Sequence, residues 1–181
     1  MSDPAEQDPP RRDFIKKVCA AGIGTAIALV PVGAGLTVLF DPLRRKMAAS
    51  EKRFVTSLDS LPENGTPLQF AILANRIDAW NKFPNAPVGA IYLRKTGPAK
   101  VEALNVVCPH AGCFVDFRDE KNDFFCPCHN SSFGLDGGIT DTRSPSPRGL
   151  DHLEVEVRNG KEVWVKFQNF QTGHKEKIPV A

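Results

Sequence analysis

Hydrophobic and polar positions divide the chain into two unlike parts. The first seventeen residues are mostly polar, and residues 18–40 then run for twenty-three positions without a charged side chain. A helix of this length rises about 35 Å at ~1.5 Å per residue, enough to cross a hydrocarbon layer of about 30 Å. The pattern predicts a polar tail over residues 1–17 and one transmembrane helix over residues 18–40.

From residue 54 onward, short apolar or alternating runs are separated by Gly, Pro and Asn, as is typical of antiparallel strands. The runs that predict strands are Leu68–Leu73, Ala90–Leu93, Val101–Val107, Phe114–Phe117 and Phe124–Phe125. Helix signals are few in this region. We therefore predict an all-β domain over residues 54–181, preceded by the transmembrane helix.

One β-hairpin is predicted together with its turn. Residues 153–157 alternate between apolar and polar side chains, and residues 163–167 alternate back. Asn159 and Gly160 lie between the two runs, and this dipeptide favours a type I′ turn. The two runs should therefore pair as neighbouring antiparallel strands.

Two segments differ from these regular patterns. Residues 41–53 are charged and contain small side chains, which predicts a tether or hinge between the helix and the β domain. The insertion from Asn75 to Pro87 contains Trp80 and Phe83. It is interpreted as a surface loop or a subunit contact, and no function is assigned to it.

The composition narrows the function classes. A formal charge of +2 with 24% charged residues is typical of neither a nucleic-acid-binding protein nor an acidic tail protein, so nucleic acid is excluded as a partner. Five cysteines are too few for a disulfide scaffold of this length. Four of them lie between positions 108 and 128, a clustering that indicates a metal site.

Two short motifs contain these four cysteines and two histidines, namely Cys108-Pro109-His110-Ala111-Gly112-Cys113 and Cys126-Pro127-Cys128-His129-Asn130-Ser131. A C-x-H pair followed by C-x-x-H brings two thiolates and two imidazoles together on two facing loops. A zinc site also uses Cys and His at short spacings and would only stabilise the fold. Zinc modules usually pair their ligands as C-x-x-C and H-x-x-x-H, however, and need only four ligands.

Both motifs resemble those of Rieske iron-sulfur proteins, and the resemblance covers residues 104–150. It implies a Rieske-type antiparallel β-sandwich with a small cluster-binding subdomain that holds a 2Fe-2S cluster. It also implies Cys108 and Cys126 as ligands of the inner iron, and His110 and His129 as ligands of the exposed iron.

The side chains of Ser131 and Phe133, which follow His129 in the sequence, bear on the reduction potential of the cluster. Ser131 lies where the Rieske family has a serine whose hydroxyl donates to a bridging sulfur. Phe133 occupies the position where high-potential members usually have a tyrosine that donates to a cysteine sulfur. A hydrogen bond to a charged acceptor contributes about 1.5–3 kcal/mol. Its loss predicts a lower midpoint potential, which suits menaquinol as the reductant.

The same resemblance assigns roles outside the ligand set. Cys113 and Cys128 match the additional pair that forms a disulfide between the two loops in quinol-oxidising Rieske proteins, and an oxidising compartment allows that bond. Two buried free thiols are the alternative for this pair. Dioxygenase ferredoxins resemble both motifs but lack the extra cysteines. Residues 144–149 resemble the proline-rich loop that covers the cluster in this family.

The segment Arg11–Lys17 resembles the twin-arginine signal, which is read by a translocase that exports folded proteins. An ordinary basic flank is the alternative, and either reading keeps the N-terminus cytoplasmic and the β domain on the periplasmic or outer side of the membrane. Residues 26–28 have the small-x-small form of a cleavage site. Cleavage there would leave twelve apolar residues at the new terminus, so an uncleaved anchor is preferred.

Three functional hypotheses follow. The resemblance first implies the Rieske subunit of a cytochrome bc type quinol:cytochrome c oxidoreductase. There His110 and His129 would meet the quinol hydroxyl at a cytochrome b subunit, and the domain would swing on its hinge to reduce a cytochrome c. The second hypothesis is the small Rieske subunit of a periplasmic molybdenum oxidase, such as arsenite oxidase. The third is a zinc-stabilised binding module without a redox role.

Overall fold

The computed structural model describes the backbone of residues 11–44, 51–77 and 80–180, and the side chains of these residues except 42–44 and 77. The chain divides into two compact units, Met1–Met47 and Ala48–Ala181. The first unit contributes one described helix, and the described strands all belong to the second.

Helix α1 spans Arg11–Arg44 and so extends the predicted segment of residues 18–40 at both ends. Its stretch Arg11–Asp41 is long and apolar enough to cross a membrane, with a mean hydropathy of 2.1 in an 18-residue window. Arg and Lys are good helix formers, so the helix continues into its charged flanks. Of the predicted tail, residues 1–10 lie outside the described residues.

The predicted hinge of residues 41–53 is described only at its two ends. Its first four residues belong to α1, and its last two begin the first strand. Residues 45–50 lie outside the described residues. The hinge therefore stays a prediction.

Nine strands are described in the β unit: β1 Lys52–Ser57, β2 Leu68–Ile77, β3 Lys82–Gly97, β4 Lys100–Asn105, β5 Asp116–Arg118, β6 Asp123–Cys126, β7 Ser131–Phe133, β8 His152–Arg158 and β9 Glu162–Lys166. A short 3-10 helix, Leu58–Ser60, follows β1. One sheet has six strands in the order β1-β9-β8-β4-β3-β2, and a smaller sheet has the order β5-β6-β7. All the pairings within both sheets are antiparallel, which confirms the predicted mostly-β architecture.

The predicted hairpin near the C-terminal end is present as β8 and β9, with Val155 paired to Val165. Asn159 and Gly160 have φ values of 53° and 66°, the left-handed conformation that a type I′ turn requires at both central positions. Val163 and Val165 are buried in the sheet's core, so the alternation identified the correct inward face.

Strands β1 and β7 were not predicted. In β1, buried and less buried side chains alternate only at the end of the strand, so the sequence gives little sign of it. Its extended conformation depends on pairing with β9, more than one hundred residues away. Strand β7 is only three residues long and directly follows the second motif, so it offers no periodic signal.

Two hydrophobic cores lie within the β unit. The core of the large sheet is built from aliphatic side chains such as Ile91, Leu93 and Val163. The second core packs the small sheet against the large one, and it includes the two motif cysteines Cys108 and Cys126. The motifs are thus part of a packed core and are not carried on a free loop.

Within the insertion predicted as a loop, residues 75–77 extend β2 and residues 82–87 extend β3 as parts of one long hairpin. Residues 78 and 79 lie outside the described residues. Ile91 of β3 pairs with Asn105, the last residue of β4. The earlier part of β3 therefore continues past the end of β4, paired only to β2 among the described strands. We call this extension, residues 73–88, the hairpin arm.

Candidate metal centre

The first motif forms a closed loop at the end of β4. Val107 and Phe114 pair as an isolated bridge on either side of it. Inside the loop, the N–H of Cys108 donates to the carbonyl of Cys113 at 2.7 Å, and the N–H of Gly112 donates back to the carbonyl of Cys108 at 3.0 Å. Gly112 has φ = 86°, which a residue with a side chain rarely adopts. We call residues 108–113 the first loop.

The second motif forms the turn of the β6–β7 hairpin. Cys126 at the end of β6 pairs with Ser131 at the start of β7, so both side chains point into the core and are buried. His129 lies between them at the exposed tip of the turn. Asn130 follows with φ = 58°, a left-handed conformation that asparagine tolerates better than most residues. We call residues 127–130 the second loop.

A disulfide joins the two loops. It connects Cys113 to Cys128 with their Cα atoms 6.6 Å apart, as the resemblance implied. The sulfurs of Cys113, Cys126 and Cys128 lie within 4.8 Å of one another, a spacing that by itself could hold a metal. Two of these sulfurs are bonded to each other, however. The thiols available to a metal are therefore Cys108 and Cys126, which are free and buried.

The two free thiols interact with each other in the core. Burial and, to a lesser extent, the neighbouring Cys126 together raise the pKa of Cys108 to about 11, although the backbone N–H of His110 partly opposes the shift. A thiolate pair is therefore costly at this position without a nearby positive charge. Metal ions deprotonate coordinating thiols, so the chemistry of this pair fits a metal centre.

The two motif histidines also lie side by side. The rings of His110 and His129 have centroids 4.6 Å apart and meet edge to face at 88°. The Nδ1 atom of His110 is buried and has no hydrogen-bond partner among the described residues. Its unpaired inward nitrogen is the type of atom that a metal ion coordinates.

The Ser131 hydroxyl is a second buried polar group at the site. Its Oγ makes no hydrogen bond of acceptable geometry among the described residues. It nevertheless lies close enough to the Cys108 thiol to lower that thiol's pKa slightly. The hydroxyl is thus available to donate to a further acceptor in the site.

The segment after β9 supports the first loop from outside. The Gly173 N–H donates to the carbonyl of Pro109 at 2.8 Å. Nearby, the buried Asn105 side chain donates to the Gln168 carbonyl and to Asn169, both at 3.1 Å. The same side chain accepts the N–H of Val107 at 3.0 Å, so it holds the chain at the point where β4 leads into the first loop.

Three supporting residues were not identified from the sequence: Tyr92, Asn105 and Arg148. Asn105 interrupts the otherwise apolar end of a predicted strand, and a polar residue in that position is a usable signal of a buried hydrogen-bond network. Tyr92 and Arg148 act through residues that are distant in sequence, and no local pattern distinguishes them.

Comparison with known proteins places these observations in a family. Residues 53–162 match the family model of the Rieske 2Fe-2S domain. The chain is 31% identical over 155 residues to the menaquinol:cytochrome c reductase iron-sulfur subunit of Geobacillus thermodenitrificans. The aligned region covers 83% of this chain and 88% of the relative. The same subunit of Bacillus subtilis is 29% identical over 86% of this chain and 90% of the relative.

A solved structure is also similar. The plasma-membrane Rieske protein of the cyanobacterium Synechocystis PCC 6803 matches 64% of this chain and 99% of its own length. Its sequence identity is 22% and the TM-score is 0.45.

Proposed function

Because the chain belongs to the Rieske 2Fe-2S family, we propose that Cys108 and Cys126 bind one iron of its cluster and that His110 and His129 bind the other. The observation that carries this assignment is the buried, unpartnered Nδ1 of His110 beside two buried free thiols. An unsatisfied buried polar group costs about 1–3 kcal/mol, and coordination to iron removes that cost. Two thiolates and two imidazoles are the Rieske ligand set.

The chain is the iron-sulfur subunit of a menaquinol:cytochrome c reductase. When bound, the cluster supplies a one-electron carrier whose potential lies above that of plant-type all-cysteine ferredoxins. The protein contributes the burial of the two cysteines, the disulfide that joins the loops and the exposed position of His129.

We propose that the quinol meets the subunit at the tip formed by the two loops. His129 is exposed there and can accept a hydrogen bond from the quinol hydroxyl through a ring nitrogen. Phe114, directly after the first loop, is 56% exposed. Large exposed apolar side chains next to a reactive group are typical of a docking surface. A cytochrome b subunit that holds the quinol is the partner we propose for this surface.

The electron acceptor and the orientation of the chain in the membrane are also proposals. We propose a cytochrome c as the electron acceptor, an N-terminus in the cytoplasm and a β domain on the periplasmic or outer side. Arg11, Arg12, Lys16 and Lys17 precede the apolar stretch of α1, as the positive-inside rule and a twin-arginine signal both require. The disulfide between Cys113 and Cys128 supports an oxidising compartment.

The ligand assignment is tested by comparing histidine variants of the full-length chain. We expect His110→Ala and His129→Ala each to abolish the low-temperature electron paramagnetic resonance (EPR) signal of the reduced protein, because each removes one of only two imidazole ligands. The matched control is His174→Ala, whose side chain lies outside both loops. A His129→Ala protein with an unchanged signal would contradict the assignment. Inorganic sulfide assay of the wild type separates the cluster from a zinc site, which contains none.

The partner assignment is tested by purification from native membranes. Co-purification with a cytochrome b subunit is expected. Recovery with a soluble molybdenum protein instead would favour the oxidase hypothesis.

A further inference from the structure

The hairpin arm leaves the body of the β unit as a two-stranded ribbon. From Lys82 to Val88, β3 has β2 as its one neighbouring strand among the described residues, and this part of β3 extends about 20 Å at ~3.4 Å per residue. Nearly every side chain of β3 in this stretch is exposed. A two-stranded ribbon is at best marginally stable in water. Contact with another surface would therefore stabilise the arm.

The exposed side chains of the arm are aromatic and basic. Trp80 is 90% exposed, and Phe83 is exposed with the Arg76 guanidinium 5.1 Å above its ring. Lys82 is exposed between the two aromatic residues. Arg76 and Lys82 are the charged side chains among the described residues of the arm, and both are basic. The one acidic residue of the arm's sequence, Asp78, lies outside the described residues.

The backbone of the arm disfavours a protein strand as its partner. Pro84 and Pro87 remove two N–H donors from β3, and prolines at a free edge are a common means of preventing strand addition. The pairing of β2 with β3 also shifts register twice within the arm. Asn85 adds a left-handed residue with φ = 52°. An irregular edge of this kind offers no continuous ladder to a second copy of the chain.

We propose that the hairpin arm docks on the anionic headgroup surface of the bilayer through Trp80 and Phe83 and the cations beside them. Tryptophan and phenylalanine rings suit the interface between headgroups and acyl chains, and nearby cations attract anionic lipids. The chain also carries a helix that is long and apolar enough to cross a membrane, so its β domain works beside a bilayer.

The position of the arm agrees with such contact. β4 runs toward Asn105 and leads into the first loop, and the arm continues beyond β4 in the same direction. The arm and the loops therefore leave the large sheet at the same end. A docked arm would restrain the domain with its loop end toward the bilayer that dissolves the quinol. Only this orientation depends on the proposed function.

The fluorescence of Trp80 reports on the contact once Trp164, the other of the two tryptophans in the sequence, has been replaced. The full-length Trp164→Phe chain is reconstituted into vesicles of phosphatidylcholine with phosphatidylglycerol, with or without brominated acyl chains. We expect brominated lipid to quench Trp80 emission, and quenching to weaken in pure phosphatidylcholine. The Trp80→Phe chain, which retains Trp164 on β9, is the reporter control and should not be quenched.

The charge dependence is tested in the same vesicles. The double variant Arg76→Gln/Lys82→Gln should lower the ratio of docked to undocked arm roughly thirtyfold at low ionic strength, because each cation near an anionic surface contributes to attraction. Lys121→Gln/Lys161→Gln is the matched control outside the arm and should change nothing. Unquenched Trp80 in the anionic vesicles, or quenching equal in both double variants, overturns the proposal.

A protein partner would give a different result. Trp80 would then be shielded from a soluble quencher only in the complete complex and would not respond to brominated lipid, which also overturns the proposal. The EPR signal of the same vesicle samples reports the metal centre separately. Failure of the arm contact and failure of the ligand assignment are therefore distinguishable.

Discussion

The hydroxyl of Tyr92 connects the large sheet to the small one. It donates to the carbonyl of Val115 at 3.2 Å and accepts the N–H of Phe117 at 3.1 Å. Burial raises the pKa of Tyr92, so the phenol remains a donor at all physiological pH values. The ring itself packs on Phe124 in the core beneath the two loops, with centroids 4.8 Å apart.

Replacing Tyr92 with Phe should lower the free energy of unfolding by about 1–3 kcal/mol, because the Val115 carbonyl loses a buried hydrogen bond and the N–H of Phe117 loses its acceptor. Denaturant unfolding monitored by circular dichroism measures this change. The exposed substitution Phe54→Tyr is a control for aromatic exchange and should leave stability within about 0.5 kcal/mol. A Tyr92→Phe protein with an unchanged free energy of unfolding would mean that the hydroxyl does not hold the two sheets together.

Phe133 is fully buried in the core that contains Cys108 and Cys126. Its ring offers no donor to a cysteine sulfur. We expect Phe133→Tyr to raise the midpoint potential, because a donated hydrogen bond favours the more negative reduced form. If the whole ~3 kcal/mol of a charged hydrogen bond acted on that form, the rise would reach about 130 mV at 59 mV per tenfold change.

A redox titration followed by EPR measures the shift, with Phe54→Tyr on β1 as the control variant outside this core. The prediction is refuted by an unchanged or lower midpoint in a Phe133→Tyr protein that retains its full signal.

At the scale of elements, Arg148 ties the proline-rich segment to the chain that follows β9. Its guanidinium donates to Asp151 at 2.8 and 3.0 Å, and both side chains of this ion pair are almost fully buried. It also donates to the carbonyl oxygens of Gln171, at 3.0 Å, and of His174. Between these two residues, Gly173 contacts the first loop through Pro109.

We expect Arg148→Ala to destabilise the domain by about 3–5 kcal/mol, because it leaves the buried Asp151 carboxylate without its partner. The matched control is Arg143→Ala. Arg143 also pairs with an aspartate, Asp141, but its side chain is 89% exposed, so its loss should cost much less stability than the loss of Arg148. Thermal unfolding of both variants gives the comparison, and equal effects would show that burial does not decide the strength of these pairs.

At the scale of the whole molecule, the disulfide links the redox state of the compartment to the stability of the site. It joins the first loop to the second loop, and the paired cysteines are fifteen positions apart in the sequence. A crosslink over that length restricts the unfolded chain and contributes about 3 kcal/mol. We therefore expect Cys113→Ala/Cys128→Ala to lose about that much stability in denaturant unfolding.

Cys19→Ser in α1 is the control for removing a cysteine outside the β unit. Reductant should destabilise the wild type and leave the double variant unchanged. A wild-type protein that is insensitive to a reductant known to have opened its disulfide would contradict the prediction.

The sequence by itself determined the features that depend on neighbouring residues. An uninterrupted apolar run predicts a membrane-length helix, and alternation around Asn159-Gly160 predicts a hairpin, because both patterns reflect local backbone geometry. The two motifs likewise contain their candidate ligands within a few residues of one another. The Rieske resemblance followed from them, and that resemblance implied the disulfide between Cys113 and Cys128.

Only the tertiary structure decided how distant segments meet. Strand β1 pairs with β9, Tyr92 bonds to Val115 and to Phe117 of β5, and Arg148 holds the segment after β9. None of these contacts has a local pattern, because partner choice between strands depends on the packing of the whole sheet. The burial of His110 Nδ1 and the length of the hairpin arm were likewise decided by contacts between distant segments.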